Sequence, residues 1–141
     1  FQTNRRYQQG DKYMKVWLPI LILLFAVTGL CIWDGVHTQK VFDQLEAESQ
    51  SIYETLLESS EISSDIESQI FKLNDFWTDE MDALCISLSR KDLQPISDYL
   101  QYLCASCIND NLEDAITYSR ILNYNIVGLS QTTGISALNL L

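Results

Sequence analysis

The chain has 141 residues, 47% of them apolar, which leaves room for one folded domain and excludes a disordered polymer. Two prolines and five glycines are too little punctuation for an all-β fold. The formal charge of −10 is unevenly spread. Residues 1–15 are net +3, whereas residues 34–141 set eighteen carboxylates against five cations, a formal −13. A domain so acidic is repelled by nucleic acid and by anionic lipid headgroups.

Residues 1–15 read as a cytoplasmic leader carrying Arg5, Arg6, Lys12 and Lys15. Met14-Lys15 resembles a natural start, which makes residues 1–13 an extension whose place in the natural protein the sequence leaves open. From Val16 to Trp33 no residue is charged. As a helix at about 1.5 Å per residue, this segment is roughly 27 Å long, close to the hydrocarbon thickness of a bilayer. Trp17 and Trp33 stand at its ends, where indole prefers the headgroup level, and Lys15 marks the cytoplasmic edge. Pro19 is expected in the first helical turn, where a missing N–H costs little. Basic residues before the segment and Asp34 after it predict a cytoplasmic N-terminus and an extracytoplasmic domain over 34–141.

Three rival readings of the segment are weaker. A cleaved signal peptide wants small residues at the cleavage site, but Gly29-Leu30-Cys31-Ile32-Trp33 ends in bulky ones. A lipoprotein signal built on Cys31 wants a small residue in place of Leu30. A buried core helix of a soluble protein does not account for the charge step. An uncleaved anchor spanning residues 16–33 is the reading we adopt.

Beyond the anchor, Phe42, Leu45, Ile52 and Leu56 recur on one helical face, with Ser49 as the polar member of the seam. Only Gly35 separates this pattern from the apolar segment, so the anchor helix is expected to run on into the domain. Serines 59, 60, 63 and 64 mark a turn. Ser64 with Glu67 has the form of a capping box. The next helix shows its face in Ile66, Ile70, Leu73, Trp77, Met81, Leu84 and Leu88, with Phe76 and Trp77 as expected core anchors. Asp92 is the expected cap of a third helix, with Pro95 in its first turn and Ile96, Leu100, Leu103 and Cys107 on its face. Asp110 and Glu113 suggest a second capping box before a fourth helix, which buries Leu112, Ala115, Ile116, Leu122, Ile126 and Leu129. A break is expected at Gln131–Gly134, followed by a short helix carrying Ile135, Leu138 and Leu141. The expected fold is therefore all-α: an N-terminal transmembrane helix, then an antiparallel bundle of about four helices. The helix pairs resemble tetratricopeptide units only loosely, without a strict repeat.

Candidate chemistry is sparse. Cys104 and Cys107 have redox-motif spacing but fall inside a helix, away from the N-terminal dipole that lowers a thiol pKa. With Cys85, three readings stay open: buried small apolar residues, which is favoured; a disulfide from Cys85 to Cys104 or Cys107; and metal or redox work. Asp75, Asp79 and Asp82 share a helix face and read as a solvated surface, since no loop wraps them around a cation. His37 is the sole histidine, so no serine or cysteine triad can be assembled. No phosphate-binding glycine loop is present. Tyr99, Tyr102, Tyr118 and Tyr124 form either the rim of the core or a protein-binding face. No catalytic residue, cofactor or metal is expected. The implied partners are the lipid bilayer, through residues 16–33, and a membrane or envelope protein. The expectation is a non-enzymatic interaction or scaffold protein, with a small-ligand-binding or sensory domain as the alternative.

The order of these motifs resembles a bacterial family known only as domain of unknown function 4363, over about Met14 to Leu141. The resemblance lies in the Met-Lys start before a Trp-containing apolar helix, Phe76-Trp77, the helix start near Asp92–Ile96, Glu113-Asp114-Ala115-Ile116, and the closing Leu138-Asn139-Leu140-Leu141. It implies a membrane-anchored protein of the Firmicutes with an outward helical domain, and it carries no activity. That family more often has charged residues where Cys104, Cys107 and Gln131–Thr133 stand, which argues against a role for the cysteines.

Overall fold

The computed structural model describes the backbone of residues 4–138 and the side-chain surroundings of residues 16–133. It is all-α, with four helices: α1 Asn4–Glu58, α2 Ser64–Leu84, α3 Arg90–Ile108 and α4 Leu112–Leu138. The chain divides into two compact units, Phe1–Val36 and His37–Leu141. α1 contributes to both, because its helix continues through Gly35 as expected.

Within the second unit, the seam of α1 is buried at Val41, Phe42, Leu45, Ser49, Ile52 and Leu56. It joins Ile66, Ile70, Leu73, Trp77 and Leu84 of α2 in one cluster. Leu93, Ile96, Leu100 and Leu103 of α3 and Ala115, Leu122 and Ile126 of α4 complete it. Nearly all of these lie three, four or seven residues from the next along their helix, the spacings that place side chains on one face. Trp77 is buried, and its indole N–H donates to Ser97 Oγ at 2.7 Å, tying α2 to α3. Ser97 in turn donates to Met81 Sδ at 3.4 Å. Phe76 is half-buried at the edge of the cluster. Between α1 and α4, Asn123 Nδ2 donates to Ser49 Oγ at 3.0 Å in a part-buried polar link.

The helix ends differ from the expected ones by one to three residues. α2 is capped by Ser63, not Ser64: its hydroxyl accepts from the Ile66 N–H at 3.3 Å, and its own backbone is extended. This leaves Glu67 one residue too far along to close a capping box. α3 is capped by Ser89, whose hydroxyl accepts from the Lys91 N–H at 3.3 Å. Asp92 therefore lies within the first turn, where its charge complements the helix dipole. Pro95 falls in the second turn. The Lys91 carbonyl that its ring deprives of a donor belongs to an exposed residue, so water can satisfy it.

α4 is capped by Asn111, whose Oδ1 accepts from the Asp114 N–H at 3.1 Å, and not by Asp110. The reason lies in the end of α3. Asp110 adopts the left-handed conformation, φ 50°, and its N–H reaches Cys107 O at 3.0 Å while Asn111 N–H reaches Ser106 O at 2.9 Å. These two bonds are a Schellman closure, which takes up Asp110 and hands the next cap to Asn111.

The break expected at Gln131–Gly134 is absent, for α4 continues to Leu138 as one helix. An isolated glycine costs a helix only about 1 kcal/mol. Thr132 and Thr133 turn their hydroxyls back onto Gly128 O and Ser130 O, at 3.0 and 2.9 Å. Ile135 and Leu138 thus belong to α4, and Leu141 lies outside the described residues.

Candidate membrane and protein-contact surfaces

The apolar stretch of α1 makes one candidate surface. Every residue from Val16 to Trp33 is exposed, and the segment's mean hydropathy reaches 2.4 with none of it buried. The helix is thus long and apolar enough over this stretch to cross a membrane. Trp17 and Trp33 are 61% and 66% exposed at its two ends. The one hydroxyl in the stretch, on Thr28, donates to Leu24 O at 2.8 Å and so presents no unmet donor to lipid. Pro19 lies inside α1 rather than in its first turn, because the helix starts at Asn4. Interior prolines are tolerated in membrane helices. The side chain of Lys15 and the rest of the basic leader lie outside the described surroundings.

The aspartates of α2 are arranged for solvation. Asp75, Asp79 and Asp82 are exposed, and Asp82 accepts from Arg90 at 3.5 Å. Among the described residues no group of three or more His, Cys, Asp and Glu side chains could hold a metal ion. His37, the sole histidine, is half-buried. Its Nε2 lies 2.9 Å from Glu80 Oε2, and the half-buried pair links the start of the domain's α1 segment to α2. Forty-three residues separate the two in sequence, and no local pattern announces such a pairing.

All four cysteines are free thiols in this structure, with Cys31 exposed, Cys85 half-buried and Cys104 and Cys107 buried. Burial, and then the negative charge of Asp75, pushes the Cys104 thiol up. Burial, with smaller contributions from Cys104 and Glu67, pushes Cys107 up to about 11 from its ordinary value near 9. Both effects oppose the thiolate that redox chemistry and metal binding require.

Two surface features of the second unit remain. A groove of about 400 Å³ opens beside Gln44, Glu48 and Ser51 of α1 and Gln69, Lys72 and Phe76 of α2. Three of the four tyrosines in the second half form a cluster. Tyr99 meets Tyr102 edge-on with ring centres 5.8 Å apart, and Tyr118 of α4 lies 6.5 Å from the first and 5.5 Å from the second. Tyr102 is 51% exposed. Tyr124 is 80% exposed.

Compared with known proteins, the chain matches no family model, no curated protein and no solved structure.

Proposed function

We propose that this chain is a single-pass membrane protein whose α1 anchors, N-terminus inside, an extracytoplasmic helical domain that binds another membrane or envelope protein. The observation that carries the reading is the wholly exposed apolar stretch Val16–Trp33 on a chain whose second unit buries its own core completely at Phe42, Leu45, Leu56, Ile70 and Leu100. The domain needs no cover for its own stability, and the stretch needs a bilayer. The orientation is supported by Arg5, Arg6, Lys12 and Lys15 before the stretch against Lys40 alone in residues 34–53 after it. Burial holds the thiols of Cys104 and Cys107 protonated, which disfavours thiolate chemistry at that pair. The resemblance to the domain of unknown function 4363 family belongs to this proposal and adds no activity to it.

The test is fractionation of cells expressing the full chain with an N-terminal epitope. The protein is expected in membranes after alkaline washing. External protease is expected to remove residues 37–141 while the epitope survives. Recovery in the soluble fraction, or loss of the epitope with the domain retained, would overturn the anchoring or the orientation respectively. A second reading, a small-ligand-binding domain, has one observation in its favour: the groove at Glu48 and Lys72 offers both charges beside the apolar edge of Phe76. Charge-reversing both residues would change ligand retention under that reading and leave partner binding intact.

A further inference from the structure

We infer that the tyrosine cluster of α3 and α4 is the face that receives the partner, and that the partner presents a Lys- or Arg-bearing segment to it. The inference rests on the reading of the chain as a membrane-anchored interaction protein. Tyr99 and Tyr118, half-buried against the rim of the core, and Tyr102, half in solvent, join two helices into one aromatic patch. Tyrosine offers a large rigid contact area with little rotamer entropy to lose, which suits an interface.

The border of the patch selects the sign of its occupant. Asp98 lies one turn before Tyr102 on α3, and Asp114 one turn before Tyr118 on α4, so each carboxylate neighbours a ring. Asp98 accepts one bond from Gln94 at 2.9 Å and Asp114 one from Asn111 at 2.7 Å. An ionised carboxylate has about four acceptor positions, so both can take further donors. No cation of the same helices lies within one turn of either carboxylate; Lys91 shares the face of Asp98 two turns away. The basic residues of α3, Arg90 and Lys91, stand at its start, and Arg120 of α4 is two residues from Tyr118, across the helix. Ring faces attract ammonium and guanidinium groups, and the bordering carboxylates add to that attraction. A second copy of this domain, at a formal −13, is repelled by the same field, as is an anionic membrane surface.

The experiment places the photo-crosslinking amino acid p-benzoylphenylalanine at Tyr102 of the full-length membrane protein in cells, with a control probe at Asp79 on the exposed face of α2. The expected adduct at 102 joins a segment of another protein that carries Lys or Arg residues. D98N/D114N is expected to lower its yield roughly five- to tenfold, as two exposed charge pairs would, and added salt to lower it as well. Far-UV circular dichroism verifies that the variant is folded, and D98N alone replaces it if the double change unfolds the domain. An adduct to a second copy, an adduct to a segment without cations, or a yield indifferent to both charge variants overturns the inference. Adducts from 79 with none from 102 overturn this face and leave the interaction reading standing. Adducts from neither position overturn both.

Discussion

Thr38 is buried on the seam of α1, and its hydroxyl has no hydrogen-bond partner. A buried hydroxyl left unmet costs on the order of 1 kcal/mol or more, and valine has nearly its shape. Thr38→Val is expected to raise stability by about 1 kcal/mol, read as a higher urea midpoint in detergent micelles. An unchanged or lower midpoint would mean that the hydroxyl is satisfied. The same burial that penalises a polar group keeps Cys107 protonated. Its folded pKa, about 11, lies above the ordinary value of 9.0. The unfolded chain therefore loses its proton first as pH rises. The stabilisation is complete below pH 9 and is lost between there and 11. At pH 8 the folded Cys107 thiol is expected to alkylate roughly 100-fold more slowly than the denatured one, since only the thiolate reacts. Equal rates in mass-spectrometric alkylation would contradict the burial.

At the scale of elements, α3 and α4 meet at a turn that forces a non-glycine residue into the left-handed region. Asp110, φ 50°, is the sole such residue among those described. Glycine adopts this conformation without the clash of a Cβ, and aspartate tolerates it only in part. Asp110→Gly is expected to stabilise the domain by roughly 0.5 kcal/mol, checked by thermal unfolding; a loss of stability would show that the aspartate side chain contributes more than its backbone costs. Inside α4 the argument reverses. Gly128 is exposed in mid-helix, and an added Cβ would meet nothing within 4 Å. Gly128→Ala should gain about 0.5–1 kcal/mol through the lower entropy of the unfolded chain. Failure to raise the melting temperature would indicate that α4 frays before that point.

For the whole molecule, the decisive quantity is the apolar surface of Val16–Trp33 that none of the described residues covers. A single arginine near the centre of a membrane helix costs about 2.5–3.5 kcal/mol of insertion free energy. Leu24→Arg is expected to shift much of the protein out of the alkali-resistant membrane fraction while the circular dichroism of the domain persists. Leu24 is 61% exposed, so the substitution removes no buried core side chain. A variant that stays fully membrane-bound would contradict the proposed span, and one that unfolds would show that the stretch serves the core.

Three-residue and four-residue spacing was enough to find all four helices and nearly all of the core, because a buried helical face must repeat at the period of the helix. The apolar run with its tryptophan ends and charge step was equally plain, since composition alone sets the cost of leaving it in water. Helix ends were less legible. Ser63, Ser89 and Asn111 are the caps where Ser64, Asp92 and Asp110 were expected. Several neighbouring residues can cap, and which one does depends on how the preceding helix closes. Only the tertiary structure decided the rest. It paired His37 with Glu80 and Asn123 with Ser49 across long stretches of chain, and it gathered Tyr99, Tyr102 and Tyr118 while leaving Tyr124 apart. Such contacts depend on how helices pack against one another, and no period within a single helix encodes them.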